Sequence, residues 1–413
     1  MGTESDPSGV TFSRPEIDPD RMRSFRSSTV DRLARGIASL FKTHGVTYRK
    51  ERGRLDGPGR VLQEGAVPLS LKAKNILLAT GSRPRELPGL PFDGLTVLSS
   101  NDLLRRESYS GRVAIVGGGA IGCEFAEILS SFGCETHLFE RESRLLPTED
   151  PELGPALERE LSSHGVSVRT GVTGIGKSPQ EEAGKSGCLI EGQSAAGEFS
   201  LVVDQILVAI GRVPVTEGLG LDTVGLSPGA GGFLSAGARG ETGIPGLYAA
   251  GDLAGGLLLA HKASRQGVVS VEAMAGLSPA PCDSLRVPRV VYTHPEVVSI
   301  GLSREEAEKA GLACREGRFP LLANGRSLTM GQRRGFIKVL SDPGTGAILG
   351  MHGIGPHLSE MMGGIALAMG VPEGLFRLGE TVFPHPTVSE AIHEAVLAGG
   401  GQRLRTPISD GKG

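Results

Sequence analysis

The sequence contains no tryptophan, only 4% aromatic residues and no uninterrupted apolar run near the eighteen residues that would span a membrane. Its N-terminus, MGTESDPSGVTF, lacks the basic and apolar regions of a signal peptide. The acidic residues that follow argue against a mitochondrial presequence. We therefore expect a cytoplasmic protein that does not enter a membrane.

The sequence also lacks an excess of charge of either sign. Lys and Arg number 43 and Asp and Glu number 46, which gives a formal net charge of −3 without long runs of like charge. Neither nucleic acid nor an anionic membrane is then an expected partner, because both require clustered basic residues. Small molecules are the expected partners.

Cysteine is scarce, and its spacing excludes two kinds of site. None of the five cysteines forms a CxxC or CxxxxC pair, so the sequence predicts neither a metal site nor a redox-active dithiol. These cysteines are Cys123, Cys134, Cys188, Cys282 and Cys314.

Glycine, in contrast, is abundant, with 63 residues in a chain of 413. With 39% hydrophobic residues, such a chain can bury enough surface for two to four domains. The glycines favour tight turns between strands and helices. A low-complexity linker is the alternative, and only residues 178–198 resemble one.

Hydrophobic periodicity predicts an α/β protein. The spacing of apolar residues in 27–42 is typical of an amphipathic helix that docks on a sheet. Apolar strands and a helix alternate further along, as in a doubly wound, Rossmann-like parallel sheet. The predicted strands are Ile76 to Ala79, 135–140 and 205–211, and the predicted helix lies near 151–164.

The stretch VAIVGGGAIGCEFAEIL, residues 113–129, reads as a strand, a glycine turn and a helix. Gly117, Gly119 and Gly122 form a GxGxxG motif: the first glycine allows the turn, the second lets a pyrophosphate approach, and the third brings helix against strand. The motif alone is weak evidence, but a preceding strand and a following helix are the context that it requires. A structural glycine turn is the alternative.

Glu140 ends the next predicted strand, where a carboxylate can hydrogen-bond the 2′-hydroxyl of an adenosine ribose. It would repel a 2′-phosphate, so NAD is favoured over NADP, although Arg141 and Arg144 weaken this preference. Cys123 lies at the start of the helix, where a thiolate could be stabilised, but a packed thiol is the favoured interpretation.

Two further stretches carry polar groups with ambiguous roles. In YAAGD, Asp252 follows a predicted strand and could hold ligand hydroxyls or simply cap a helix. In FPHPTVSEAIHEA, His385 lies between two prolines, and Glu390 could orient its imidazole as a base and carboxylate pair. Alternatively, Thr387 and Glu390 form a capping box, or Glu390 pairs with His393.

Six ordered motifs, ATGSRP, GGGAIGCEFA, AIGRVP, YAAGDLAGGLLLAHKA, YTHPEVVSIGLSREEA and HPTVSEA, resemble the class I pyridine nucleotide-disulfide oxidoreductases, most closely the dihydrolipoamide dehydrogenases. The resemblance implies a remainder of an FAD-binding domain at 1–110, an NAD-binding Rossmann domain at 111–214, a central segment completing the FAD site at 215–285, and a C-terminal α+β dimerisation domain at 286–413. It implies FAD and NAD as cofactors, a lipoyl-type dithiol as substrate, a homodimer, and service to a 2-oxoacid dehydrogenase complex.

The resemblance also implies roles for individual residues. His385 and Glu390 would be the proton-transfer pair, acting across the dimer interface. The FAD site would contain Thr80, Gly81, Ser82, Asp252, Leu258, Leu259, Ala260 and His261. The NAD site would contain Gly117, Gly118, Gly119, Ala120, Ile121, Gly122, Glu124, Glu140, Val172 and Gly211.

The sequence departs from the family pattern at its beginning. The family's first GxGxxG and its CxxxxC dithiol are absent, so we expect that the sequence begins at an internal methionine and that its FAD site is incomplete. Val215 replaces a usual asparagine, Gln266 replaces a usual glutamate, and Glu124 has no lysine partner from the cysteine segment. An NADH diaphorase or transhydrogenase without a dithiol, and a non-catalytic NAD-binding dimer, are therefore alternatives to the dehydrogenase.

Overall fold

The computed structural model describes residues 16–400 except 183, 184 and 196. They form two compact units, and the chain passes between these units several times. The first unit contains residues 16–83, Leu104–Tyr109 and Val213–Pro281, and the second contains Pro84–Leu103, Ser110–Arg212 and residues 282–400.

The α-helices, in chain order, are α1 (Pro19–Thr43), α2 (Ser100–Arg105), α3 (Ala120–Ser131), α4 (Leu153–Ser163), α5 (Ala260–Met274), α6 (Arg304–Lys309), α7 (Gly325–Thr329), α8 (Met362–Ala368), α9 (Gly374–Gly379) and α10 (Glu390–Ala398). The strands are β1 (Gly53–Leu55), β2 (Arg60–Gln63), β3 (Leu69–Lys72), β4 (Ile76–Leu78), β5 (Ser82–Pro84), β6 (Val97–Leu98), β7 (Arg112–Val116), β8 (Glu135–Phe139), β9 (Ser167–Arg169), β10 (Thr173–Glu182), β11 (Lys185–Ser194), β12 (Gly197–Val203), β13 (Gln205–Val208), β14 (Arg212–Pro214), β15 (Leu247–Ala249), β16 (Arg289–Val291), β17 (Glu296–Gly301), β18 (Arg315–Pro320), β19 (Phe336–Ser341) and β20 (Ile348–Gly355).

A five-stranded parallel sheet in the second unit carries the glycine turn. Its strand order is β6-β13-β7-β8-β9, and Val113 lies opposite Gln205 on one side and Thr136 on the other. The order reverses at β7, the first strand of the βαβ unit. Ligands of such sheets bind at the carboxyl ends of the strands near this point.

The antiparallel sheet β10-β11-β12 covers one face of that parallel sheet. Cys188, Ile190 and Val203 from its strands pack with Phe139 and Ile206 of the parallel sheet in one buried cluster. The interpretation of 178–198 as a linker is therefore wrong for its described residues, because the alternating apolar side chains of β11 and β12 have a core to enter.

A second sheet of this unit is antiparallel, with the order β16-β17-β20-β19-β18. Its strands β17, β19 and β20 are largely buried, and helices α8, α9 and α10 pack against the sheet through Met362, Leu375 and Ile392, among others. We refer to it as the C-terminal sheet.

The first unit contains a parallel pair, β4 and β15, and an antiparallel sheet, β1-β2-β3. Leu55, Leu78, Leu247 and Leu253 form its buried core. The carboxyl ends of β4 and β15 lead into Thr80 and Asp252, which brings two stretches from distant parts of the sequence to one edge.

Helix α1 forms as predicted, but it does not dock on a sheet. None of its residues is buried, and the side chains of Val30, Leu33, Ile37 and Leu40 are 54–65% exposed. The predicted docking is wrong within the described chain, because the apolar face of α1 remains exposed to solvent.

The predicted α/β fold, with Rossmann-like and α+β parts, is confirmed. The division into four domains at 110, 214 and 285 stays a prediction. In the part of the chain that the structure describes, no helix is long and apolar enough to cross a membrane.

Candidate functional site

The turn between β7 and α3 is built from glycines whose environments differ. Gly117 has a φ of 112°, and a Cβ there would lie 2.5 Å from the Ala209 carbonyl oxygen. A Cβ on Gly122 would lie 1.8 Å from the Gly117 oxygen, whereas one on Gly119 would meet nothing within 4 Å. Gly117 and Gly122 are thus required by the fold, while Gly119 leaves open space at the N-terminus of α3, where an anion is favoured.

Glu140 follows β8 and faces this turn. Its side chain is buried, its Oε2 accepts the Gly118 N–H at 2.6 Å, and its Oε1 accepts the Glu142 N–H at 2.7 Å. Each carboxylate oxygen can accept more than one hydrogen bond. A ribose hydroxyl can therefore still bind this fixed carboxylate, and the residues present fit NAD.

The remaining predicted NAD residues surround the turn in different ways. Val172 is buried, and its N–H donates to the Glu140 carbonyl at 2.9 Å, so the two are held together. Gly211, with a φ of 104°, follows β13. Ala120 is exposed and Ile121 half-buried in the first turn of α3. These positions lie at the carboxyl end of the sheet, and their contacts with a nucleotide stay a prediction.

Glu124 on α3 accepts the N–H of Tyr292 at 2.9 Å. Burial raises the pKa of the Glu124 carboxyl, and the Tyr292 N–H opposes this effect. One turn later, Glu127 accepts the N–H of His294 at 2.6 Å. Two carboxylates of α3 therefore hold the YTHP segment, a contact between α3 and the C-terminal sheet that no sequence pattern indicated.

Cys123 is a packed thiol, as the favoured interpretation predicted. Its Sγ lies 3.4 Å from the Gly118 oxygen and is fully buried, and burial raises the pKa of the thiol far above its usual value. Cys134 and Cys188 are also buried, while Cys282 and Cys314 are partly exposed. A thiolate at Cys123 is excluded because its charge would be buried beside Glu140.

In the first unit, the structure brings together Ser82 and Asp252, which are 170 positions apart. The Ser82 hydroxyl donates to Asp252 Oδ2 at 2.5 Å. Thr80 Oγ1 donates to the Val215 carbonyl at 2.7 Å, and the Val215 N–H donates to the Gly81 carbonyl at 3.0 Å. Val215 acts here through its backbone, so the absence of the usual asparagine side chain leaves this contact intact.

Helix α5 begins at Ala260, so Leu258 to His261 lie at a helix N-terminus. The side chain of Lys262 is buried and donates to the Leu257 carbonyl at 2.8 Å and to the Gly255 carbonyl. Sequence reasoning missed Lys262, because a lysine in an amphipathic helix normally faces solvent. It fixes the bend immediately before the predicted FAD residues.

Gln266 accepts the Gly251 N–H through Oε1 at 3.0 Å. A glutamine offers the same acceptor as the usual glutamate, so this departure preserves the turn that presents Asp252. The Asp252 carboxylate suits ligand hydroxyls, and the positive end of α5 suits an anionic group. The residues present therefore fit a part of FAD.

The His385 imidazole and the Glu390 carboxylate form a pair. His385 Nδ1 lies 2.9 Å from Glu390 Oε1, while Glu390 Oε2 accepts the Thr387 N–H at 2.8 Å. The pKa of Glu390 is lowered, first by the Thr387 N–H and then by His385. His393 instead contacts the Gly379 carbonyl at 3.1 Å. Glu390 thus pairs with His385, whereas the capping box is only half formed, because the Thr387 hydroxyl donates to the Pro384 carbonyl and α10 begins after Ser389. The side chain of His385 remains 81% exposed.

Asn324 is a second residue that the sequence patterns missed. It is buried, its Oδ1 accepts the Ser327 N–H at 2.9 Å, and its Nδ2 donates to the Thr387 carbonyl at 3.0 Å. It therefore connects the start of α7 to the segment that carries His385. No local signal marks such a residue, because its partner is 63 positions away.

Known proteins resemble the chain along most of its length. Residues 5–267 match the family described as "Pyridine nucleotide-disulphide oxidoreductase", and residues 287–396 match the dimerisation domain of the same family. The dihydrolipoyl dehydrogenase of Bacillus subtilis is 36% identical over 97% of this chain and 86% of its own, and that of Thermus scotoductus is 38% identical over 94% and 82%.

A solved structure has the same fold as this chain. The LpdA protein of Mycobacterium tuberculosis superimposes with a TM-score of 0.84 at 26% identity, over 93% of this chain and 84% of its own. With the glycine turn, the Glu140 carboxylate and the His385 pair in place, the chain belongs to the FAD- and NAD-dependent pyridine nucleotide-disulphide oxidoreductase family and is a dihydrolipoyl dehydrogenase-like oxidoreductase carrying the family's dimerisation domain.

Proposed function

We propose that this chain binds NAD(H) at the glycine turn between β7 and α3 and acts in the transfer of two electrons from dihydrolipoamide to NAD⁺. The observation that carries the proposal is the Glu140 carboxylate, fixed by the Gly118 N–H beside the open space at Gly119. A ribose hydroxyl can bind this carboxylate, and a 2′-phosphate would be repelled, which selects NAD over NADP.

The reaction balances as dihydrolipoamide and NAD⁺ giving lipoamide, NADH and one proton. Bound FAD supplies the two-electron acceptor between the dithiol and the nicotinamide. The chain's own residues have separate tasks. The Asp252 carboxylate, which accepts the Ser82 hydroxyl, holds flavin nucleotide hydroxyls, and the start of α5 faces an anionic group.

His385 takes a thiol proton in this proposal. Its Nδ1 is engaged with Glu390 at 2.9 Å, and 81% of the side chain is exposed, so Nε2 is available to a substrate. The lowered pKa of Glu390 keeps its carboxylate ionised at neutral pH. An ionised partner stabilises the imidazolium that forms when the proton is accepted.

One observation favours a second function, an NADH diaphorase or transhydrogenase without a dithiol. The sequence contains no CxxxxC pair, and three of its five cysteines are buried. Without a CxxxxC pair in this sequence, hydride from NADH would pass through bound FAD to a small acceptor. This function needs the NAD and FAD residues but not His385.

Two assays with added FAD separate these functions. The dehydrogenase produces NADH from dihydrolipoamide and NAD⁺, and Glu390→Gln should lower this turnover by about 10²-fold, a typical contribution of acid–base catalysis. Glutamine keeps an oxygen for the Thr387 N–H but removes the charge beside His385. The diaphorase reduces a dye with NADH at a rate that Glu390→Gln leaves unchanged. Absence of both activities, with NADH still bound, would favour a non-catalytic NAD-binding dimer.

We further propose a homodimer formed through residues 286–413 and service to a 2-oxoacid dehydrogenase complex. Support for the dimer comes from exposed apolar side chains in this region, including Val382 at 92% and Leu367 at 72% exposure. Val382 is three positions from His385, which would bring the imidazole to the subunit interface. Co-purification of the chain with lipoyl-bearing acyltransferase from its own cells tests the proposed complex.

A further inference from the structure

The segment between β8 and α4, residues 140–152, packs closely against the glycine turn; we call it the β8–α4 loop. Beyond the Glu140 contact, the Leu146 N–H donates to the Gly118 carbonyl at 2.9 Å. A Cβ on Gly118 would lie 2.6 Å from Leu145 Cδ2. The shape of the turn and the shape of this loop therefore depend on each other.

The far end of the loop is held by cations of the C-terminal sheet. Arg289 Nε lies 3.0 Å from Glu149 Oε2, and Lys338 Nζ lies 2.8 Å from both Asp150 and Glu152. The side chain of Lys338 is only 4% exposed and that of Asp150 is fully buried. Removing one partner from such a buried pair is costly because the other charge is left without compensation.

These cations belong to one continuous row across the C-terminal sheet. Arg289 lies opposite Ser299, Ser299 opposite His352, His352 opposite Lys338, and Lys338 opposite Arg318. Residues directly opposite each other in a sheet share a face. These five residues therefore share one face of the sheet, and its three cations contact the acidic residues of the β8–α4 loop.

The middle of the loop is strained. Leu146 has a φ of 49°, in the left-handed region, although it is not glycine. This conformation is unfavourable for an L-residue and persists only where the surroundings determine it. Leu146 itself donates to the Gly118 carbonyl, and its own carbonyl accepts the N–H of the anchored Glu149, so hydrogen bonds to the turn and to the anchor hold it.

We propose that Lys338 and Arg289, residues of the dimerisation domain, are positioning residues for the adenosine half of the NAD site. They hold the β8–α4 loop at Glu149 and Asp150, and the loop in turn holds Glu140 and the glycine turn in their binding geometry. The inference rests on the proposed NAD site, and it makes NAD affinity depend on two cations of the C-terminal sheet that contact the loop.

The test compares Lys338→Met, the double variant Lys338→Met with Asp150→Asn, and Arg304→Gln as a control. The double variant removes the buried charges of Lys338 and Asp150 together, while Glu152 keeps Arg318 as its partner, so no carboxylate is left unpaired. Arg304→Gln breaks a pair with Glu316, 3.0 Å apart, in the same unit but outside the loop. Each variant is titrated with NADH and with ADP-ribose, followed by fluorescence and calorimetry, and its free energy of unfolding is measured separately.

We expect Lys338→Met and the folded double variant to bind both ligands about tenfold more weakly, with the control within twofold of the native chain. Hydrogen exchange of residues 116–119 and 140–152 without ligand should be about tenfold faster in these variants. Native affinity in the double variant, or unchanged exchange, would overturn the inference. Failure of the native chain to bind NADH would instead reject the proposed function. The hydrogen-exchange rates of the loop would still decide whether the C-terminal sheet orders it.

Discussion

At the scale of single residues, the glycines of the turn between β7 and α3 have two different roles. Two of them are required for packing of the fold, and one leaves space for the proposed ligand. Gly117 and Gly122 have backbone oxygens where a Cβ would lie, whereas Gly119 faces open space with an ordinary φ of −77°. The distinction gives a substitution that separates stability from binding.

Gly119→Ala should fold and lose NADH affinity. The added methyl group meets no protein atom, so the free energy of unfolding should change by less than about 1 kcal/mol, the scale of a helix N-cap substitution. The methyl group occupies the space of a pyrophosphate, so NADH binding should weaken at least about tenfold. Fluorescence titration and urea unfolding measure the two quantities.

Two alanine variants serve as controls for this prediction. Gly325→Ala also adds a methyl group in open space, but in α7, and should leave stability and NADH binding unchanged. Gly122→Ala should destabilise the chain by about 1–3 kcal/mol because its Cβ would overlap the Gly117 oxygen. Native NADH affinity in Gly119→Ala would contradict the assigned site.

A second residue, His352, should make stability depend on pH. It is fully buried in β20, and burial lowers the pKa of its imidazole below 6.5, although the Leu302 carbonyl and Asp150 oppose this and Lys338 and Arg289 add to it. The unfolded chain therefore binds a proton near pH 6.5 that the folded chain does not bind. The free energy of unfolding should fall below this pH by up to about 1.4 kcal/mol per pH unit.

Urea unfolding at pH 7.5, 6.5 and 5.5 checks this prediction. The native chain should lose more stability between pH 6.5 and 5.5 than His352→Gln, which has no proton to gain at that position. Equal losses in the two proteins would show that His352 is not the responsible group.

At the scale of elements, α1 has the pattern of a docked helix without a docking surface among the described residues. Its apolar side chains would stabilise a folded chain if covered, but they remain in contact with solvent. A contiguous exposed apolar surface of this kind favours association.

We expect Leu33→Lys with Ile37→Lys to reduce association without loss of stability. Both side chains are more than half exposed, so the free energy of unfolding should change by less than about 0.5 kcal/mol per site. Binding of a hydrophobic dye and light scattering with increasing protein concentration should both decrease. The controls are Asp31→Lys and Arg35→Glu, which change exposed charges on α1. Loss of dye binding in these controls would show that the apolar face is not responsible for the binding.

At the scale of the whole molecule, the family's dimerisation domain and the exposed apolar side chains near His385 lead to one expectation. The native chain should sediment with twice its mass of 42.9 kDa. Val382→Lys should shift it toward the monomer, because a charge would be buried in an interface core, where charged residues are depleted.

Analytical ultracentrifugation of the native chain, Val382→Lys and Val67→Lys checks this expectation. Val67 is 81% exposed but lies in the first unit, so its substitution should leave the dimer intact. A native chain that remains a monomer at micromolar concentration would contradict the proposed assembly.

The sequence by itself determined the features that depend on neighbouring residues. The glycine turn with its strand and helix, Glu140 at the end of β8, and the family were all readable, because turn geometry and hydrophobic period are local properties. The contact between His385 and Glu390 was also within reach, since the two residues are five positions apart.

Only the tertiary structure decided which distant residues hold these local features in place. Lys338 contacts Asp150 across 188 positions, and Ser82 contacts Asp252 across 170. It also decided that α1 is exposed and that Cys123 is a protonated, packed thiol. The physical reason is that burial and pairing depend on what the remainder of the chain brings alongside, and an amphipathic pattern or a lone lysine does not specify its partner.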